Sequence, residues 1–190
     1  MSMYATNQFR KGLKIEIEGV PYEIVDFQHV SPGKGRAFTR TKIKNMLNGN
    51  VTEKTITSGD KVDRANTEQK EMQYLYKDAE GYHFMNQANY DQVVLQEDML
   101  GDSKDFLQEN LVIQVMYFNE RPIGVELPTF VGLKIVETDP AFKGDTVTGG
   151  TKPAKLETGA VVQVPFHLKE GDMIKVDTRD HSYVEKINNR

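Results

Sequence analysis

The chain has 190 residues, of which 38% are hydrophobic and 27% charged, and its formal net charge is −4. These proportions are typical of a folded, soluble protein, and no window approaches the 18 apolar residues of a membrane span. Residues 1–11 contain no apolar run of the kind that a secretory signal needs. The absence of cysteine excludes disulfides, thiolate catalysis and cysteine-bound metals. We therefore expect a cytoplasmic protein.

Charge is distributed unevenly along the chain. Lys and Arg outnumber Asp and Glu by 11 to 7 in residues 1–65, whereas acids outnumber bases by 12 to 4 in residues 66–128. Residues 129–190 contain nine of each. A basic third beside an acidic third favours docking against a large polyanion in one orientation, although chance fluctuation also produces such asymmetry.

The first third of the chain has the period-two pattern of β-strands. Apolar and charged residues alternate from Leu13 to Ile17, and a turn then leads into a second strand at 22–30. A second hairpin joins residues 22–30 to 36–45, and another strand follows at 51–57. Four or five short strands predict a small SH3-like or KOW-like barrel over residues 1–65.

A polar stretch from Asp63 to Lys70 predicts a boundary, and a second barrel is expected over residues 66–128. Its predicted strands are 71–76, 82–85, 92–95, 111–118 and 122–127, with one helical turn at 103–107. Five strands with one short helix match the composition of an OB-fold. The strand at 111–118 is apolar on both faces, so we expect it to be the most buried strand of this barrel.

A third small barrel is expected over residues 129–190. Its predicted strands are 130–138, 161–164, 173–178 and 183–187, and a long loop rich in Gly, Thr and Lys occupies 144–155. The predicted fold class is therefore all-β, with three small barrels in a row.

The sequence predicts no catalytic or metal site and no cofactor. The four histidines, His29, His83, His167 and His181, lack the spacing of metal ligands. No Ser-centred nucleophile elbow is present, and Lys34 is followed by Gly where a phosphate-binding loop requires Ser or Thr.

The informative segment is the hairpin turn at residues 31–36. Pro32 fixes φ near −65°, and Gly33 is expected to supply the positive φ that follows in a type II turn. Lys34 then projects from the tip between two glycines, with no bulky neighbour. An ordinary exposed loop lysine is an equally good interpretation of this pattern alone. The segment consists of Ser31, Pro32, Gly33, Lys34, Gly35 and Arg36.

The strand after this turn predicts a basic stripe. Side chains alternate along a strand, so Arg36, Phe38, Arg40, Lys42 and Lys44 are expected to share one face. Phosphates attract such a face, and an aromatic ring within it can stack on a base or sugar. We favour RNA as the partner; the alternative is a solvated outer face with Phe38 folded over an edge.

A second candidate contact is the loop that contains Gly144, Asp145 and Thr146. Its hydroxyls, glycines and backbone amides could contact RNA without a charge stripe. The alternative is a mobile connector between strands.

The chain resembles the bacterial translation elongation factor P family over essentially its whole length. Two segments carry the resemblance. One is the tip, from Ser31 to Phe38. The other is a C-terminal signature made of Lys152, Ala154, Gly159, Val162, Val164, Pro165, Leu168 and Gly171.

This resemblance implies an L-shaped molecule with a KOW-like N-terminal barrel and two OB-folds. It also implies binding to the 70S ribosome between the peptidyl and exit sites, and rescue of ribosomes stalled at consecutive prolines. Lys34 would reach toward the CCA end of the P-site peptidyl-tRNA and would be a target for post-translational modification. The loop at Gly144, Asp145 and Thr146 would lie near the small subunit and the exit-site mRNA. The residues expected to contact tRNA are Ser31, Pro32, Gly33, Lys34, Gly35, Arg36, Arg40 and Lys42.

Three other interpretations remain open at this point. The chain could be an elongation-factor-P-like paralogue, although Lys34 at the tip favours elongation factor P itself. It could be a general OB-fold RNA-binding protein, which would bind free single strands with a steep salt dependence. An enzyme using Lys34 is disfavoured, since a glycine-flanked hairpin tip is expected to be well solvated. We expect a monomer and a separate enzyme that modifies Lys34, with a chemistry that the sequence does not reveal.

Overall fold

The computed structural model describes residues 2–141 and 149–188, and these residues form sixteen β-strands and three short helices. The strands pair into three sheets, so the predicted all-β fold class is confirmed. By compactness the chain divides into two units, residues 1–70 with 115–124 and residues 71–114 with 125–190. The domain boundaries after residues 65 and 128 stay a prediction.

The first sheet has six strands rather than the four or five expected, in the order β1-β6-β2-β3-β4-β5. The strands are β1 (Met3–Ala5), β2 (Lys14–Ile17), β3 (Val20–Val30), β4 (Phe38–Asn45), β5 (Val51–Thr57) and β6 (Lys61–Arg64).

Two features of this sheet differ from the sequence-based expectation. The three-residue β1 has no periodic pattern of its own and forms because it pairs with β6, where Met3 lies opposite Asp63. The polar stretch 63–70, which the predicted strands did not include, is mostly strand. β6 runs through Arg64, and the next strand, β7 (Thr67–Asp78), begins three residues later.

The core of the first sheet comes from the predicted alternation. Its buried side chains are Phe9, Leu13, Ile15, Ile24, Ile43 and Ile56. The ladder between β3 and β4 shifts register between Ile24 and Asp26, and such a bulge bends a long strand around a small core. Because β3 has 11 residues, its C-terminal end continues past this core and carries the turn at residues 31–36.

The second and third sheets share one strand order. Numbered along the chain within each sheet, both run 3-2-1-4-5, and in the third sheet the third and fifth strands lie against each other. This is the order of an OB-fold, so both predicted OB-folds are confirmed. The second sheet consists of β7, β8 (Gly81–Asn86), β9 (Gln92–Leu95), β10 (Val112–Phe118) and β11 (Arg121–Glu126). The third consists of β12 (Phe130–Thr138), β13 (Thr151–Leu156), β14 (Val161–Pro165), β15 (Met173–Asp177) and β16 (Ser182–Lys186).

The first strand of each OB sheet contains one bulge. Register shifts between Tyr74 and Tyr76 in β7, and between Ile135 and Glu137 in β12. A bulge increases local twist, which lets one strand bend between two neighbours as a sheet curls.

A helical segment lies between the third and fourth strands of the second sheet. It starts at Glu97, earlier than the predicted 103–107, as α1 (Glu97–Leu100) followed by a 3₁₀ helix (Gly101–Phe106). Its apolar side chains Leu100 and Phe106 are buried. No helix in the described residues is both long and apolar enough to cross a membrane.

Burial in the second sheet corrects one expectation. The most buried strand is β8, where Tyr82, His83, Phe84 and Asn86 are all buried. By contrast, β10 alternates between covered and partly exposed positions despite its apolar sequence. Apolar residues on both faces of β10 therefore do not indicate two covered faces.

The third sheet contains a strand that the sequence assigned to a loop. Residues 144–155 were expected to be irregular, but Thr151–Leu156 form β13 between β12 and β14. The Gly, Thr and Lys content of the segment predicted a loop. Pro153 cannot donate to a ladder, yet it lies within this strand. Its carbonyl accepts from the Thr138 hydroxyl on the β12 side, where β12 ends, so no ladder donor is needed at Pro153.

A buried carboxylate ties the start of β15 to β16. The side chain of Asp172 is 9% exposed, its Oδ1 lies 3.0 Å from Lys186 Nζ, and its Oδ2 accepts the Lys169 backbone N–H at 3.0 Å. Burial raises the pKa of Asp172, but the Lys169 amide and the Lys186 ammonium outweigh it, so the pKa lies below its usual value. The ionised form therefore stabilises the fold above the unfolded-state pKa, and this contribution is lost as pH falls through the folded-state pKa.

We predict that Asp172→Asn lowers the free energy of unfolding at pH 7 by about 1 kcal/mol. The difference from the unchanged protein should shrink as pH falls below about 4, because both proteins then lack the charge. Thermal unfolding measured between pH 7 and pH 3 tests this. The exposed Glu170→Gln removes the same charge nearby and serves as the control. A difference that stays constant across this range would contradict the assignment.

Candidate nucleic-acid interface

The turn at residues 31–36, hereafter the tip loop, lies at the end of the β3–β4 hairpin. The last ladder pair below it joins Val30 to Phe38, and all six side-chain positions of the loop are exposed. A Cβ at Gly33 or Gly35 would meet no atom within 4 Å. Lys34 is therefore presented between two uncovered glycines, as the sequence predicted.

The backbone of the tip loop differs from the predicted type II turn. Gly35, with φ of 100°, adopts the left-handed region, whereas Gly33 is not among the positive-φ residues. Gly35 is thus the position where a side chain would be strained. Pro32-Gly33 is a common type II pair, but the turn is completed two residues later because β4 begins only at Phe38.

The basic stripe is confirmed as an alternating face within β4. Thr39, Thr41 and Ile43 are buried, whereas Arg40, Lys42 and Lys44 on the opposite parity are exposed. Phe38 is half-buried on the exposed parity. Arg36 precedes the strand, so its place in the predicted alternation is wrong and it belongs to the tip loop instead.

The net charge along this face depends on which residues of the neighbouring strands lie opposite each cation. Lys42 lies opposite Asp26 on β3 and Glu53 on β5. Lys44 lies opposite Glu23 and Val51, whereas Arg40 lies opposite the neutral Gln28 and Thr55. Opposite charges on adjacent strands attract, so the cations farther from the tip are partly offset by acids.

The positive potential is consequently concentrated toward the loop. Among the described residues, no cation of the tip loop or of β4 makes an ion pair, so this gradient rests on the acids that lie opposite Lys42 and Lys44. An unneutralised cation releases more counterions when it contacts phosphate than one already beside a carboxylate.

Arg40 and Phe38 form one unit on the exposed face. The Arg40 guanidinium carbon lies 5.7 Å from the Phe38 ring centroid, within the range of a cation–π contact. The ring is thus held against the strand. This arrangement leaves the guanidinium as the exposed group of the pair.

The second predicted contact, at Gly144, Asp145 and Thr146, lies outside the described residues. At the described C-terminal end of that connection, a Cβ on Gly150 would overlap the Phe166 ring, so a larger residue there would require the ring to move. Two residues later, Lys152 in β13 is only 5% exposed, and its ammonium donates a hydrogen bond to the Asp139 carbonyl.

The C-terminal signature consists of fold residues rather than a contact surface. Its apolar members are buried in the core of the third sheet, and its two glycines have left-handed φ values of 91° and 89°. The buried members are Ala154, Val162, Val164 and Leu168, and the glycines are Gly159 and Gly171.

One cluster of polar side chains escaped the sequence analysis. Asp78, Glu80 and His83 bring their ligand atoms within 4.8 Å of one another at the β7–β8 turn. Asp78 Oδ1 lies 2.8 Å from His83 Nε2 and also accepts the backbone N–H groups of Glu80 and Gly81. These contacts make the carboxylate a cap for the turn, and we assign it that role rather than a metal site. The only sequence signal was Asp78 three residues before Gly81.

Comparisons with known proteins agree with this fold. Family models for the elongation factor P KOW-like domain, the elongation factor P OB domain and the elongation factor P C-terminal domain match residues 5–62, 67–125 and 131–186. A translation initiation factor 5A family protein from Naegleria fowleri has a similar structure, with a TM-score of 0.51, 15% identity, and coverage of 66% of this chain and 98% of that chain. At that identity the likeness concerns the fold alone.

Two curated relatives match nearly the whole chain. Elongation factor P of Pelotomaculum thermopropionicum is 52% identical over 97% of this chain and 100% of its own length. Elongation factor P of Bdellovibrio bacteriovorus is 50% identical over 99% of this chain and 100% of its own. With three matching domains in the same order, the fold and sequence are those of a translation elongation factor. The chain belongs to the elongation factor P family.

The Asp78 cap has a measurable consequence. The contact with His83 is the largest cause that holds the pKa of Asp78 below its usual value, and the two backbone N–H groups add to it. We predict that His83→Gln raises the pKa of Asp78 part of the way back. NMR titration of the Asp78 carboxyl carbon measures this, and His167→Gln is the control. An unchanged Asp78 pKa would show that the His83 contact is absent in solution.

Proposed function

We propose that this protein binds the 70S ribosome between the peptidyl and exit sites and promotes peptide-bond formation at consecutive prolines. In this proposal Lys34 contacts the peptidyl-tRNA, with Ser31, Pro32, Gly33, Gly35, Arg36, Arg40 and Lys42 around it. The observation that carries the proposal is the exposed, unpaired lysine at the end of a hairpin that extends past its own core.

The mechanism rests on position rather than on proton transfer. A Pro-Pro nascent chain is stiff, so the reacting groups rarely reach productive geometry. An ammonium that contacts the tRNA backbone would hold the CCA end and reduce the entropic part of the barrier. The chain supplies no general acid or base in this proposal and is not an enzyme.

The tip loop also suits modification of Lys34 by a separate enzyme. The open space around Gly33 and Gly35 gives a partner active site access to the ammonium. An added amine-bearing group would lengthen the reach of the side chain and supply further donors. The proposal requires no cofactor, and the chain acts as a cytoplasmic monomer. The loop at Gly144, Asp145 and Thr146 is the proposed contact with the exit-site mRNA.

Reconstituted translation tests the proposal. One reporter encodes three consecutive prolines and a matched reporter encodes none, and the protein is purified from its native host so that Lys34 carries its natural modification. We predict that the protein relieves the proline stall selectively and that Lys34→Ala loses this relief at least tenfold. The loss follows because one charge-assisted contact contributes roughly 1.5–3 kcal/mol.

The matched control for Lys34→Ala is Lys11→Ala. Lys11 is an exposed lysine in the turn before β2; within the described residues it pairs with the exposed Asp26, and it does not belong to the tip loop. Relief by the Lys34→Ala protein equal to that of the unchanged protein would refute the contact. No relief by the folded, unchanged protein would refute the elongation role at prolines and favour a general RNA-binding function.

The graded charge of β4 gives a second prediction. Arg40→Ala should raise the concentration needed for half-maximal relief more than Lys42→Ala does, because only Lys42 has acids opposite on both neighbouring strands. A difference of about threefold to tenfold is expected at low salt, and it should narrow at high salt. Half-maximal concentrations measured at two salt concentrations test this, with Lys44→Ala as a further control. Equal effects of all three substitutions would contradict the gradient.

A further inference from the structure

The tip loop is held only through the strands beneath it. Within the described residues, no hydrogen bond or ion pair joins residues 31–36 to the rest of the chain. The direction in which Lys34 points therefore depends on the last three ladder pairs of the hairpin. We call these pairs the neck: Gln28 with Arg40, His29 with Thr39, and Val30 with Phe38.

The neck lies beyond the apolar core of the first sheet. The last β3 side chain packed against that core is Phe27. Above it, the next pair on that face is polar, with Thr39 buried and His29 exposed, so no apolar side chain of β3 fixes this part of the hairpin. A hydrogen bond takes its place: His29 Nδ1 lies 2.8 Å from Thr39 Oγ1.

Burial makes this hydrogen bond specific. Thr39 is 0% exposed, and a buried hydroxyl without a partner is costly. A threonine hydroxyl both donates and accepts, so it can pair with His29 Nδ1 in either protonation state of the imidazole. The His29 ring is itself oriented by Phe27, whose ring meets it edge-on with centroids 5.5 Å apart.

The neck is also fixed on its other side. β5 continues alongside it, with Ile56 opposite Thr39 and Thr57 opposite Phe38, and the Ser58 N–H donates to the Ala37 carbonyl at 2.9 Å. β4 is therefore anchored by β5. By contrast, β3 above Phe27 is joined to the sheet only through its pairing with β4 in the described sheet order. The His29–Thr39 bond is the side-chain link that ties the free strand to the anchored one.

We propose that His29 and Thr39 are positioning residues that fix the direction of the tip loop and thereby the place of Lys34. This inference rests on the proposed function of Lys34. The hydrogen bond locks the β3 end of the neck to β4, so that Lys34 explores fewer positions before it meets its target. Its loss lowers the rate at saturation rather than the affinity, because the remaining charged surface still binds.

Thr39→Val is the informative variant. It removes the hydroxyl while keeping the β-branched shape and leaves no buried polar group without a partner, since the exposed His29 can turn to water. Thr39→Ser keeps the hydroxyl and is the matched control. On the other strand His29→Ala removes the bond, and His29→Asn keeps a hydrogen-bonding atom close to the position of Nδ1.

The experiment combines these variants with Lys34→Ala in the three-proline assay. Thr39→Val and His29→Ala should each lower the saturating rate about threefold to tenfold and leave the half-maximal concentration unchanged. Thr39→Ser and His29→Asn should retain the saturating rate of the unchanged protein. In the Lys34→Ala background, Thr39→Val should change the residual rate by less than about twofold, because its effect acts through Lys34. Thermal unfolding of Thr39→Val should match that of the unchanged protein.

A second readout does not depend on translation. ¹⁵N relaxation of the full chain should show a lower order parameter at the Lys34 amide in Thr39→Val than in Thr39→Ser. Unchanged rates and order parameters in Thr39→Val would overturn the inference, as would a rate loss that persists in full in the Lys34→Ala background. If Lys34→Ala itself has no effect, the proposed function fails, and the relaxation comparison alone then decides whether the neck directs the loop.

Discussion

The register between β3 and β4 is the constraint on which the site depends. Because side chains alternate along a strand, the pairing that points Ile24 and Ile43 into the core also points Arg40 and Lys42 outward. A slip by one residue would exchange these two sets and bury cations. The hydrophobic core therefore fixes the orientation of the basic face, and no separate interaction has to specify it. The length of β3 then carries the tip loop past the core.

Charge on the exposed face follows from neighbouring strands as much as from β4 itself. The sequence around β4 shows cations on one face, but it does not show which of them have acids opposite. Pairing places Asp26 and Glu53 beside Lys42, and Glu23 beside Lys44, whereas the cations nearer the tip face neutral residues or solvent. The acids reduce repulsion between closely spaced cations and stabilise the sheet. The same arrangement leaves the end of the hairpin as its most positive part.

The local sequence pattern predicted most strands of this chain, and the strands that it missed share one physical cause. Strands such as β2 and β12 have alternating burial that any window of the sequence reveals. The strands β1 and β13 exist because distant partners complete their hydrogen bonding, and Pro153 is tolerated only because β12 ends beside it. The same limit applies to the site. Lys34 and the exposed stripe could be predicted from turn residues and parity, but the positive φ at Gly35 and the His29–Thr39 bond depend on where β4 begins.

A comparison of the two OB sheets helps to distinguish the residues that define the fold from those on which the proposed function depends. They share a strand order and a bulge in the first strand, yet no sequence repeat relates them, and their net charges differ by eight. Residues of the C-terminal signature are buried or occupy turns, so their presence reports that the third sheet folds in the family's manner. The tip loop has the opposite character: it is exposed, makes no described contact with the body of the protein and is not needed by the core. A sequence that keeps both the buried signature and the exposed lysine therefore retains two independent features: the first reports the fold, and the second carries the contact that we propose.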